Sequence, residues 1–338
     1  MSIAVPLYGF GASGGTGGTL TVTAPANVTV TVSKDGKTKT KNSGTSGVVV
    51  FKGLTSGTWT VTITGDGKTA QKNVVITTDY STAISFNTIP EFTYTGDYEI
   101  VNDSDEPITV SQGNWKIRFL TSGTLTFTNL NGAEGGIDVF LVGGGGGGGQ
   151  GWNSAGAGGG GGYTKTAKAV TVTAGVAYPI VVGAGGTVTS TARSNSGGNT
   201  SAFGSSASGG KGGGGIVQGS DSAITGGNGG SGGANYASTD GAGTNGSNAN
   251  PGGTGQGTTT REFGESSGKL YSGGGQGGAN TGSSSPQNPP VDETAGAAGV
   301  TPPANRGGGG GGSNHYNINN ATHGGSGIAI IRNAREAA

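Results

Sequence analysis

Cysteine is absent from this 338-residue chain and methionine occurs once. No disulfide can form, so stability must come from backbone pairing and packing, and folding is indifferent to redox compartment. Charged residues make up only 11% of the chain and aromatic residues 6%. Eighteen basic residues balance eighteen acidic ones. There is no positive excess to draw nucleic acid or an anionic membrane, and no acidic excess to name a cationic partner. No apolar run reaches the ~18 residues of a membrane span. Met1–Phe10 is partly apolar but lacks a basic start and does not read as a signal peptide. Work outside a cell would then imply some other exit route.

What is abundant is glycine, 79 of 338 residues, against a usual share of about 7%. The chain reads in three parts. Residues 1–18 end in Gly-Ala-Ser-Gly-Gly-Thr-Gly-Gly, an arm or linker. Residues 19–88 carry period-two alternation at Leu20 and Val22, at Val28, Val30 and Val32, and at Trp59, Val61 and Ile63. Shorter strands are predicted at Val48–Phe51, Val74–Ile76 and Ala83–Phe86, with hairpin turns at Asp35-Gly36 and Asp66-Gly67. Six or seven strands in this length predict an immunoglobulin-like β-sandwich with Trp59 in its core. The runs Ala26–Val32 and Gly53-Leu54-Thr55-Ser56-Gly57-Thr58-Trp59-Thr60-Val61 resemble the carboxypeptidase-regulatory or PEGA-like β modules, a resemblance that implies a spacer.

Residues 89–338 form the glycine-rich domain, with β-strands over 92–142 and 327–332 framing glycine tracts over 143–326. Phe92 and Tyr94, then Tyr98 and Ile100, predict short strands. Trp115–Leu120 and Thr124–Thr128 predict a hairpin around Ser122-Gly123. Ile137–Val142 is a strong strand that runs straight into Gly143–Gly149. Further tracts stand at Gly158–Gly162, Gly212–Gly215, Gly273–Gly275 and Gly307–Gly312, with no Gly-X-Y period that would indicate collagen.

Such a composition often means disorder, but three features oppose it. Strand signals at Ala169–Val172 and Tyr178–Val182 interrupt the glycines. The closing Gly327–Arg332 is an apolar strand suited to pair with Ile137–Val142. Aromatics also recur at Trp152, Tyr163, Phe203, Tyr236, Phe263, Tyr271 and Tyr316. The fold class expected is all-β, with β-strands and packed polyglycine II-type helices in the glycine domain. Those helices have three residues per turn and no internal hydrogen bonds. Glycine has no Cβ to keep neighbouring backbones apart, so side-by-side packing can satisfy the amides. Ordering each residue costs about 1–2 kcal/mol, which only a dense hydrogen-bond lattice could offset. A β-rich arrangement of the same tracts stays open.

Ile137–Gly149, Gly158–Thr164, Tyr178–Gly186, Gly197–Gly204 and Gly324–Arg332, taken in order, are similar to glycine-rich domains of bacteriophage and prophage tail proteins. The resemblance spans roughly residues 90–333. It implies a rigid glycine sandwich at a fibre tip whose loops meet a bacterial surface polysaccharide or protein. It also implies a virion location, synthesis in the host cytoplasm, other virion or tail proteins as attachment partners, and a homo-oligomer such as a trimer, for which no heptad pattern speaks. No cofactor or metal is implied. The alternatives are a structural decoration or tail component without a receptor, and a wall-degrading depolymerase.

Catalytic signals are weak. A strand before Gly143–Gly149 has the outline of a dinucleotide fingerprint, but Gln150-Gly151-Trp152-Asn153 cannot open the helix that would hold the pyrophosphate. No Gly-Lys-Ser/Thr follows a glycine loop. His315 and His323, the two histidines, read as loop residues rather than metal ligands. Asp292 and Glu293 are neighbours and would diverge, poor geometry for glycoside cleavage. Asp97, Asp103, Asp105 and Glu106 could meet calcium but lack EF-hand spacing. Asn199-Thr200-Ser201 and Asn320-Ala321-Thr322 fit glycosylation sequons. The non-enzymatic reading therefore leads, with binding on the loops Ala234–Asn250, Thr258–Ser272, Ala279–Arg306 and Ser313–His323. Trp152, Tyr236, Arg261, Phe263, Tyr271, Arg306, His315 and Tyr316 are the candidate contacts. Their rings and donors suit sugars and protein epitopes, and would equally serve to pin the loops to the scaffold.

Overall fold

The computed structural model describes residues 17–65, 67–86, 88–111, 113–151, 155–190, 193–215, 226–231, 233, 257–279, 293–315 and 317–335. The chain divides into two units. One runs to Thr88 and takes in Val110–Gly113; the other holds Ile89–Thr109 and everything from Asn114. Regular structure among the described residues is β apart from three single 3-10 turns, and no helix is long and apolar enough to cross a membrane.

The first unit packs two sheets face to face. β1 (Gly18–Thr23), β4 (Val48–Leu54) and β7 (Tyr80–Ala83) make one, in the order β4-β1-β7. β2 (Thr29–Lys34), β3 (Lys37–Asn42), β5 (Gly57–Gly65) and β6 (Lys68–Ile76) make the other, in the order β3-β2-β5-β6. Alternate residues Leu20, Val22, Val30, Val32, Trp59, Val61 and Ile63 fill the space between them. Trp59 is core, and its indole N–H donates to the Thr55 carbonyl at 2.9 Å. Asp35 and Gly36 both take positive φ, 48° and 75°, as a two-residue hairpin turn requires. The predicted arm lies outside the described residues up to residue 16, while Gly18 already belongs to β1.

Strand β3 was not expected, since its Lys-Thr alternation carries no apolar residue. Lys39 and Lys41 pair with Val32 and Val30, so they share the core side of the sheet. Their stems close the sandwich edge, and their ammonium groups donate to the carbonyls of Lys52 (2.5 Å) and Val50 (2.7 Å) on β4. Inward lysines of this kind protect a sheet edge from further pairing.

The second unit is built on a five-stranded sheet. β8 (Glu91–Tyr94) and β9 (Tyr98–Val101) precede β10 (Lys116–Phe119), β11 (Gly123–Asn129) and β12 (Ile137–Val142). After them come β13 (Thr164–Val170), β14 (Ala177–Ile180), the hairpin β15 (Thr200–Ala202) and β16 (Ser205–Ala207), and finally β17 (Ile328–Asn333). The large sheet has the order β13-β12-β17-β10-β9, and a second sheet has the order β14-β11-β8. β12 and β17 pair antiparallel from Ile137↔Asn333 to Val142↔Ile328, which closes the domain on itself. The predicted hairpin between 115–120 and 124–128 does not form: β10 and β11 belong to different sheets. Ile117 and Phe119 meet Leu125 and Phe127 across one core, so the chain steps over that core at 120–122 instead of folding back beside itself.

Beyond β12 the chain continues as Gly143–Gly149, and its hydrogen bonds repeat every third residue. Gly143, Gly146 and Gly149 donate to Tyr163, Gly160 and Ala157. Gly144 and Gly147 donate to Gly198 and Asn195, and Gly145 and Gly148 to Gly325 and Thr322. The carbonyls keep the same stride: Gly144 and Gly147 accept from Gly210 and Gly213, and Gly146 and Gly149 from Gly310 and Ser313. These bonds measure 2.8–3.0 Å, ordinary amide geometry. With Gly186 donating to Gly145, six segments surround the tract, at 155–163, 184–187, 195–198, 208–214, 307–313 and 322–325. A Cβ at Gly145 or Gly148 would collide with the carbonyl of Gly308 or Gly311.

Gly148→Ala is therefore expected to destabilise the domain by about 3 kcal/mol or more, because only backbone could give way. Gly135→Ala, where an added Cβ meets nothing within 4 Å, is expected to stay within about 0.5 kcal/mol. Thermal or urea unfolding of the two variants checks the contrast.

Candidate functional site

The large sheet presents two buried faces. Ile117, Phe119, Ile137, Val139, Leu141, Ala329 and Ile331 point into one core, with the β14-β11-β8 sheet opposite. The alternate positions face the other way, where Phe140, Val142, Ile328 and Ile330 pack with Phe263 and Tyr271. Lys116, Arg118, Asp138 and Arg332 stand on that same second face and are themselves buried. The segment 257–271 lies over it.

Buried charge needs partners, and here each finds one. Lys116 Nζ meets Asp105 Oδ1 at 2.6 Å and Glu262 Oε1 at 2.8 Å. Arg118 Nη2 meets the same Asp105 oxygen, and Lys269 Nζ reaches Asp105 Oδ2 at 3.1 Å. Arg332 donates from Nε to Asp138 at 3.1 Å and from Nη2 to Glu265 at 2.5 Å, while its guanidinium lies 4.0 Å from the Phe263 ring centre. Asp138 also accepts the Ala169 N–H at 3.1 Å, at the bulge where β13 slips against β12. A cleft of about 550 Å³ opens on this network.

The electrostatics follow from those contacts. Burial works to raise the Asp105 carboxyl, but the hydrogen bonds from Arg118 and Lys116 outweigh it and hold the group well below the usual carboxylate range. The Arg332 hydrogen bond holds Glu265 below its ordinary value against the opposing effect of burial. Burial, with help from Glu262, pushes the Tyr271 hydroxyl above its ordinary value; that hydroxyl donates to Glu262 at 3.2 Å. The arrangement clamps 257–271 to the sheet. Of the acidic loop considered for calcium, Asp105 is taken up by three cations and Asp103 by Arg335 and Asn114.

The candidate contacts separate into two places. Phe263 and Tyr271 are 4% and 1% exposed, so the expectation that Thr258–Ser272 displays them as a free loop is corrected: their rings fill the space over Phe140, at 5.8 and 5.4 Å between centroids. Arg306 lies over the Tyr271 ring at 5.2 Å. Arg261 donates to the Gly268 carbonyl at 3.0 Å. These four stand at the sheet end of the lattice. His315 stands at the other end, its N–H donating to Ala279 at 3.1 Å. Trp152, Tyr236 and Tyr316 lie outside the described residues, as does the loop Ala234–Asn250.

The far end is defined by chain direction. Segments 143–149, 184–187, 208–214 and 307–313 run in parallel away from the sheet, while 155–163, 195–198 and 322–325 return. Their described connections are drawn together by polar bonds. His323 Nδ1 accepts the Val188 N–H at 2.9 Å, Ser313 Oγ accepts the Gly151 N–H at 2.8 Å, and Asn320 Oδ1 accepts the Asn314 N–H at 2.9 Å. Arg193 at this end is exposed, and its Nη1 donates to Gly212 at 2.6 Å.

A β-sheet root, a backbone-bonded glycine lattice and polar connections at its far end define a class of all-β glycine-rich domain. The family model for the glycine-rich domain matches residues 120–334, and the chain belongs to that family. Among curated proteins, none matches this chain in sequence.

Removing one partner of the buried pair by Arg332→Met is expected to cost about 3 kcal/mol. The Asp138→Asn/Arg332→Met double variant should lose less than the two single losses together, read by a double-mutant cycle in urea. Asp105 and Glu265 have folded values below their unfolded ones, so their stabilisation is fully present above the ordinary carboxylate range and is lost as pH falls from that range through their lower folded values. Unfolding measured from pH 7 down to 2 should show that decline.

Proposed function

We propose that this protein is a non-enzymatic bacteriophage tail-associated fibre or receptor-binding protein, located in the virion, which attaches to the host through the connections at the far end of its glycine lattice. In this reading the first unit is a PEGA-like spacer. The glycine tracts are polyglycine II-type helices, packed side by side into a slab, and the ligand is a host surface polysaccharide or protein. The observation that carries the reading is the three-residue stride of the bonds made by Gly143–Gly149 to six neighbouring segments. A three-residue turn points successive amides in three directions, so one strand can bond to neighbours all round it, whereas a β-strand bonds to two.

Function follows from stiffness. Loops on a rigid scaffold keep their shape without a large entropic penalty on binding. The far end gathers several connections rich in Asn, Ser and His, donors and acceptors suited to sugar hydroxyls or polar epitopes.

The test is saturable binding of the fluorescently labelled full chain to a panel of bacterial cells. Combined alanine substitution of His315, Asn317 and Asn319 is expected to weaken binding at least about tenfold. Val176→Ser, on an exposed turn next to β14, is expected to leave it unchanged. A folded chain that binds no cell in the panel would turn the reading into that of a virion decoration component, and binding insensitive to the triple substitution would move the contact surface elsewhere.

A further inference from the structure

The chain enters the first unit through β1 and leaves its strands through β7, and these two strands lie side by side. They pair in parallel, from Leu20↔Tyr80 to Thr23↔Ala83. The ladder is extended at both ends. The Thr19 N–H donates to Asp79 Oδ1 at 2.8 Å, and the Ile84 N–H donates to the Thr23 carbonyl at 2.9 Å. Strands β2 to β6 come between them in sequence, yet none stands between them in the sheet, whose order is β4-β1-β7.

That direction decides how the unit meets tension. A pull on the chain before Gly18 draws β1 toward its start. A pull on the chain after Ala83 draws β7 toward its end. The strands are parallel, so the two pulls are opposed and run along the strand axis. Every bond of the ladder is then strained together and must fail nearly at once. One such bond contributes only about 1 kcal/mol net, so resistance comes from loading them together. Antiparallel neighbours behave differently when pulled at ends that meet, as Gly18 meets Leu54 across β1 and β4. Their bonds open one after another.

Both strands are also anchored. Leu20 and Val22 are fully buried, and β1 is central, so withdrawing it breaks its bonds to β4 as well. Just beyond β7, Ile84 is buried in the core and Phe86 packs against it. Lys72 Nζ of β6 donates to the Ala83 carbonyl at 3.0 Å, which ties the end of β7 to the other sheet.

We propose that the first unit is a load-bearing element, in which tension along the chain passes directly from β1 to β7 and is resisted by their ladder in shear. The rest of the sandwich stays off the load path. This deepens the spacer reading by giving the spacer a mechanical duty. It needs no receptor, so a chain that binds no cell leaves it standing, and a weak ladder leaves attachment standing.

Single-molecule stretching of the full chain tests it. The chain has no cysteine, so introduced pairs are unique handles. Ser13→Cys with Asn87→Cys loads β1 against β7 in shear. Ser13→Cys with Ser56→Cys, the latter exposed just after β4, peels β1 from β4. The first pair is expected to need at least about twice the unfolding force of the second at the same loading rate, since forced unfolding follows the unfolding barrier. Asp79→Ala, which removes one bond from the end of the parallel ladder, should lower the first force and leave the second unchanged. Equal forces in the two geometries, or a lower force in the first, would overturn the proposal.

Discussion

The amide of Gly146 bonds to Gly160, its carbonyl accepts from Gly310, and three residues on the same pair of bonds recurs. That repeated backbone contact is the constraint on which the larger unit rests. A buried peptide group must find a partner, and here the partners come from chain segments that are far apart in sequence. They can approach closely enough only where no Cβ intervenes. Side chains enter the lattice where there is room for them: Ala155, Ala157, Ser231, Ser272 and Ser313 are fully buried or nearly so. Ser272 and Ser313 use their hydroxyls to bond further backbone groups, at Gly162 and Gly151. Glycine abundance is thus a packing requirement rather than a sign of looseness.

The lattice still needs an anchor, and the sheet provides it. β12 and β17 are the first and last ordered partners of the glycine region, and their apolar positions hold both ends in one place. Charge does comparable work on the opposite face. In a chain with 11% charged residues, Lys116, Arg118, Asp138, Glu262 and Arg332 are all buried on a single surface. A network of this sort is sensitive to the loss of one member, since the remaining charges stay buried. It fixes the position of 257–271 more specifically than apolar contact alone would, and so carries Phe263 and Tyr271 over Phe140.

Much of this was legible in the sequence. Alternation at Leu20–Val22, Val28–Val32 and Trp59–Ile63 was enough to place a sandwich core, and the apolar runs at 137–142 and 328–331 were enough to pair the ends of the glycine domain. Other features were hidden for identifiable reasons. Strand β3 pairs through its backbone while its inward residues are lysines, so no hydrophobic period marks it. The stretch 116–128 reads as a hairpin because it has two short alternating runs and a Ser-Gly between them; nothing local tells a turn from a step between sheets. The alternation of Lys116 and Arg118 with Ile117 and Phe119 reads as solvent against core, when both faces are covered. Phe263 and Tyr271 sit among turn-forming residues and read as loop side chains, because the apolar surface that receives them is contributed by β12, far earlier in the chain, and β17, far later.

The stride of three has a consequence for how such a chain can change in length. Adding one glycine within 143–149 would turn every later amide in the tract toward the wrong neighbour, while adding three would restore each to the direction it had before. The connections at the far end obey no such arithmetic. Variation in tract length is thereby confined to triplets, and lengthening a tract means lengthening its neighbours to match, whereas the connections are free to differ by any number of residues. A comparison of related chains should accordingly show lengths that move in steps within the glycine tracts and drift without pattern in the connections.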